Sequence, residues 1–224
     1  MMELKTLDDL YQIALDDIKG KKGLITISID SIPKVSKSND IIGNCVQEWI
    51  PQWLEDKGID LVSNSHTQAF PDFTAQINGK SYDMEVKCWN YNNAPAFDLA
   101  NFEGFYREIY KDPRKLNAKY LIFGYRPTTH GFEIVDIFMK NIWEMTSPTQ
   151  KYPIGLQNKQ GRPYALRPYP FHNNPNRCFK SRWDFVVAIC QTRILFPPTE
   201  EIVEPADWME QVRTKFKELT DEDL

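Results

Sequence analysis

Along the chain, apolar residues first follow a helical period and then an alternating one. Leu7, Leu10, Ile13, Leu15 and Ile18 form an imperfect helical stripe that Gly20 ends. A clearer stripe follows in Ile41, Ile42, Cys45, Val46, Trp49, Ile50, Trp53 and Leu54, with Ser38 or Asn39 as cap, a kink expected at Pro51 and a stop at Gly58. After this helix the period becomes two, as in a sheet. Residues 73–77 and 82–88 read as strands joined by Asn78-Gly79, the dipeptide suited to a tight hairpin because both residues tolerate positive φ. A helix is predicted over 97–110, strands over 120–125 and 132–138, and a surface helix over 207–219. Prolines and asparagines dominate 146–176, and the apolar segment 179–196 is compatible with strand or helix.

The hairpin carries the candidate chemistry. With Asn78 and Gly79 as its two loop residues, Ile77 faces Lys80, and continuing the ladder sets Asp72 opposite Glu85. Opposed side chains on one face have β-carbons about 4.5–5.5 Å apart, and two carboxylates so placed repel unless a cation lies between them. Magnesium suits such an all-oxygen pair. Lys87 shares the face of Glu85, while Met84, Val86 and Cys88 turn to the other side. An ammonium beside a metal-bound phosphodiester orients or deprotonates the attacking water and offsets the charge that grows in the transition state. The same charges on an exposed hairpin are often merely solvated, so the pattern gains weight only from its surroundings.

Composition changes that picture in three ways. At 224 residues, 42% of them hydrophobic and 26% charged, the chain reads as one globular domain with its core over about 38–196 and an acidic helix or tail over 200–224. Four separated cysteines (Cys45, Cys88, Cys178, Cys190) and three scattered histidines (His66, His130, His172) form no pattern that suggests a zinc cage or a redox dithiol. No basic-then-apolar leader opens the chain and no apolar run is long enough to cross a bilayer, so a cytoplasmic location is expected. The net charge of −4 argues against a nucleic-acid partner, but it is unevenly spread. Segment 151–193 holds eight basic residues against one acid, Asp184, whereas 200–224 holds nine acids against three bases.

Pro71-Asp72 followed by Glu85-Val86-Lys87 resembles the PD-(D/E)XK nuclease superfamily. The resemblance implies a mixed α/β fold, a restriction-endonuclease-like central β-sheet flanked by helices, with Mg2+ on Asp72 and Glu85 and with Lys87 at the attacking water. It also implies a further acid or glutamine on a preceding helix, a place open to Gln47 or Glu48. Within the superfamily, the size of the chain, the stretch FDLANFEGFYREIYKDPRKLNAKYLIFGY and the later Leu166-Arg167-Pro168 are similar to type II restriction endonucleases of the NgoBV-like group. That similarity implies a homodimer cutting double-stranded DNA at an interrupted GC-rich palindrome and leaving 5′-phosphates.

Candidate DNA contacts follow from side-chain chemistry. Asn90, Asn92 and Asn93 leave the Glu85 strand and carry amides able to read adenine or meet phosphates. Arg162, Arg167, Arg177, Lys180 and Arg182 supply donors for phosphates or guanine, each weighed against an ordinary solubilising charge. The aromatics among them, Tyr164, Tyr169, Phe171 and Trp183, suit a core or a dimer interface better than base stacking. Two other readings stay open at this level: a structure-selective repair or junction nuclease using the same centre, and a DNA-binding module without catalysis.

Overall fold

The Asn78-Gly79 turn organises the central sheet, since both residues adopt positive φ, 49° and 73°, and bring β5 (Phe73–Ile77) back along β6 (Lys80–Asn90). In a computed structural model describing residues 4–36, 38–63, 70–198 and 203–224, the elements before this hairpin are α1 (Leu7–Ile18), β1 (Lys22–Gly23), β2 (Thr26–Ile29), β3 (Ile32–Val35), α2 (Asn39–Asp56) and β4 (Asp60–Ser63). Those after it are β7 (Ala100–Asn101), α3 (Phe102–Lys111), β8 (Lys119–Thr128), β9 (Gly131–Lys140), β10 (Leu156–Lys159), β11 (Arg162–Leu166), α4 (Arg182–Leu195) and α5 (Pro205–Thr220). His66 lies outside the described residues. The chain divides into two compact units: residues 1–95 with 118–140, and 96–117 with 141–224. No helix among the described residues is long and apolar enough to cross a membrane.

The first unit holds a six-stranded sheet in the order β1-β9-β8-β6-β5-β4, antiparallel throughout except that β6 and β8 run parallel. Its core is the joint product of two periodicities. Leu10, Ala14 and Ile18 of α1 and Ile42, Val46, Ile50 and Leu54 of α2 meet Phe73, Ala75, Ile77, Met84, Val86, Leu121 and Phe123 from alternating strand positions. Thr6 caps α1 by accepting from the Asp9 amide, and Asp9 bonds back to the Thr6 amide, a complete capping box. Pro51 lies inside α2, and Ile50, Trp53 and Leu54, buried on both sides of it, hold the helix to Asp56. Gly58, at φ 80°, follows its end.

The second unit holds a three-stranded antiparallel sheet, β10-β11-β7, with α3, α4 and α5. Aromatics fill its interior: the Tyr106 and Trp208 rings stack with centroids 4.3 Å apart, and Phe105 meets Phe185 edge-on at 5.9 Å. The helix anticipated over 97–110 starts only at Phe102. Ala100 and Asn101 pair with Leu166 and Ala165, and the Asn101 side chain then caps the helix by accepting from the Gly104 amide at 2.9 Å. The ambiguous 179–196 segment resolves as helix α4, capped by Ser181 accepting from the Asp184 amide.

Candidate active site

The two acids meet where β5 begins. The register Ile77↔Lys80 continues to Phe73↔Met84, so Asp72 stands one step beyond the ladder, opposite Glu85. Two crossed bonds extend the pairing: the Asp72 amide donates to Glu85 Oε2 at 3.2 Å, and the Val86 amide donates to Asp72 Oδ2 at 2.8 Å. Each carboxylate is therefore held by the main chain of the other strand. The preceding Phe70-Pro71 peptide is cis, and the Phe70 ring lies 6.3 Å from that of Tyr120.

Lys87 completes the group. Its ammonium lies 2.7 Å from Glu85 Oε1, with 18% of the lysine side chain and 8% of the glutamate side chain exposed. Burial raises the Glu85 carboxyl to about 7; the Lys87 ammonium opposes that rise and the Asp72 carboxylate adds to it. Tyr120, the register neighbour of Glu85 on β8, is buried, and its phenol is pushed well above its ordinary value by burial and by the charges of Glu85 and Asp72. A carboxylate raised by burial in this way carries a charge that its surroundings do not fully compensate, which is the condition a bound cation relieves.

Helix α2 supplies a fourth participant. The Gln47 side-chain amide donates to Asp72 Oδ1 at 2.8 Å, whereas Glu48, one position on, is exposed. One turn before Gln47, a β-carbon placed on Gly43 would sit 3.8 Å from Cβ of Cys88, so this face of α2 rests on β6. Asp72 and Glu85 form an all-oxygen donor set that fits a hard dication with water completing its shell. Among the described residues no group of three or more His, Cys, Asp and Glu converges, so a thiolate or imidazole site is not formed there.

The sequence-predicted DNA contacts fall into two classes. Arg162, Arg177 and Lys180 are exposed, as are Asn92 and Asn93 in the turn after β6. Asn90 has its side-chain oxygen engaged by the Asn92 amide at 3.1 Å and alternates with Trp89 to the sheet face opposite Glu85 and Lys87. Arg167 is committed inside its unit, to Asp98 at 3.0 Å, to Gln157 at 2.6 Å and to the Ala96 carbonyl. Arg182 bonds Glu222 at 2.9 Å and lies over the Trp143 and Phe216 rings. Arg193, counted with the basic segment, is 3% exposed and pairs with Glu103 at 2.5 Å. Charge counting had no means of separating arginines that build the fold from those that face outward.

The sequence profile described as NgoBV restriction endonuclease matches residues 4–224. The type II restriction enzyme NlaIV of Neisseria lactamica is 32% identical over 201 residues, spanning 87% of this chain and 83% of that protein. The type II restriction enzyme NgoBV of Neisseria gonorrhoeae is 28% identical over 159 residues, 69% of this chain and 90% of that protein. A solved NlaIV restriction endonuclease structure superposes with a TM-score of 0.86 at 29% identity, covering 100% of this chain and 93% of the other.

Proposed function

The chain belongs to the NgoBV restriction endonuclease family of type II site-specific DNA endonucleases, and from that premise we propose that Asp72, Glu85 and Lys87 form its catalytic centre. The observation that carries the proposal is the pair of crossed main-chain bonds that holds two carboxylates together beside a lysine. Membership in the family displaces the readings as a junction nuclease or a non-catalytic DNA-binding module.

Asp72 and Glu85 would hold Mg2+, which when bound supplies positive charge at the scissile phosphate. Gln47 and the Val86 amide fix the plane of the Asp72 carboxylate before any ligand arrives. The Lys87 ammonium, largely withdrawn from water, orients the attacking water and offsets the negative charge developing on the phosphoryl oxygens. Water oxygen bonds to phosphorus, the bond to the 3′ oxygen breaks, and that oxygen takes a proton, leaving a 5′-phosphate. Asn92, Asn93, Arg162, Arg177 and Lys180 are the exposed residues among the sequence-predicted DNA contacts, Lys180 also donating to the Pro175 carbonyl at 3.2 Å. A homodimer, with one centre for each strand, fits a double-strand cut at a palindromic site.

The test is incubation of plasmid with Mg2+ or with EDTA, followed by sequencing of the fragment ends. Discrete Mg2+-dependent fragments with 5′-phosphates are the expected result. Unchanged cutting in EDTA, or by Asp72→Ala, overturns the assigned centre.

A further inference from the structure

At the tip of β10 and β11, Lys159 and Arg162 are direct register partners across a turn whose two residues, Gln160 and Gly161, take φ of 53° and 79°. Like charges opposed on a ladder destabilise it, so this pair is the mirror of the acid pair at Asp72 and Glu85 and calls for an anion as that one calls for a cation. Both residues are exposed, and among the described residues neither forms an ion pair. No acid occurs in the sequence from Lys151 to Trp183. Glu103 lines a small cavity with Arg162, but its carboxylate is taken by Arg193 at 2.5 Å.

The hairpin is also built to hold its tip still. Pro163, Ala165 and Leu166 are buried, β11 pairs with β7, and Arg167 ties the base to Asp98, Gln157 and Ala96. A register shift beside Gln157 and Asn158 leaves Tyr164 as the extra residue of a bulge, and the Lys159 ammonium lies 3.3 Å from the centre of its ring. A rigid base with an outward, basic tip suits a binding element rather than a solvated loop.

We propose that this hairpin is a two-stranded ribbon that enters the major groove of duplex DNA, where Arg162 and Gln160 read base edges and Lys159, steadied on Tyr164, meets a phosphate. The major groove admits a two-stranded β-ribbon, arginine matches the acceptor edge of guanine with two donors, and the glutamine amide can donate to guanine acceptors or accept from the cytosine amino group. The proposal rests on the chain acting on duplex DNA, and it assigns part of the sequence reading to one element.

Its test separates recognition from cleavage. The intact protein and its Lys159→Ala, Gln160→Ala and Arg162→Ala variants select duplexes from a pool with a randomised centre, in EDTA. The enriched duplex and a scrambled version are then titrated at several salt concentrations. Arg162→Ala and Gln160→Ala are each expected to weaken the enriched duplex about 5- to 150-fold, with little effect on the scrambled one, and to lose preference at particular positions. Lys159→Ala should weaken both duplexes alike and lower the salt slope by about one. The proposal is overturned if Arg162→Ala and Gln160→Ala enrich the parental sequence with parental affinity, if they weaken both duplexes equally, or if the parent enriches nothing. A parent that selects a sequence yet never cuts overturns the catalytic assignment instead and leaves the hairpin reading standing.

Discussion

Gln47 donates its side-chain amide to Oδ1 of Asp72 at 2.8 Å, while the Val86 amide occupies Oδ2, so both oxygens of the aspartate are oriented by donors from different elements. A helix residue thereby sets the angle at which a sheet-end carboxylate is presented. Removing such an orienting bond typically costs about 10- to 100-fold in metal affinity or activity. Gln47→Ala should therefore raise the Mg2+ concentration needed for half-maximal cutting by about that factor, whereas Glu48→Ala, altering an exposed side chain, should leave the Mg2+ titration unchanged. Equal titrations for parent and Gln47→Ala would remove Gln47 from the site.

Asp72→Ala, Glu85→Gln and Lys87→Ala should each reduce cleavage by at least about 100-fold, the usual scale for losing a group that stabilises transition-state charge. Folding, read by circular dichroism, and binding to duplex DNA should largely persist, because all three groups act at the reacting phosphate. Near-parental cutting by any one of them contradicts its role.

The committed arginines predict a different phenotype. Arg167→Ala and Arg193→Ala remove charged hydrogen bonds within one unit, each costing about 1.5–3 kcal/mol. For a chain of this size that is a fall in Tm of roughly 3–12 °C. Neither variant should change the ratio of cognate to random DNA binding at a temperature where it is folded. A selective loss on cognate DNA without thermal destabilisation would return Arg167 to the DNA-reading set.

Gly124 on β8 is the register partner of Trp89, and the Trp89 and Tyr91 rings close over it, 5.3 Å apart. A β-carbon there would fall against Tyr91 Cδ2 and lie 3.2 Å from Trp89 Cη2. Gly124→Ala should destabilise by about 1–3 kcal/mol through overpacking, measurable as a lower denaturation midpoint at unchanged slope. Parental stability would mean that the two rings shift freely.

Local sequence determined the central hairpin and much of the first unit. Asn78-Gly79 sets the register, alternation turns Met84 and Val86 to the core and Glu85 with Lys87 to the other face, and the periodic stripes of α1 and α2 mark their buried sides. These features depend on neighbours a few residues away, which the chain displays directly. Tertiary structure decided what depends on distant partners: that Gln47 rather than Glu48 meets Asp72, and that burial raises Glu85. It also decided that Arg167, Arg182 and Arg193 are spent on Asp98, Glu222 and Glu103. The short strands at 22–23, 26–29, 32–35, 60–63, 100–101, 156–159 and 162–166 carry no pattern of their own for the same reason, since a strand of a few residues is stabilised by the partner it pairs with.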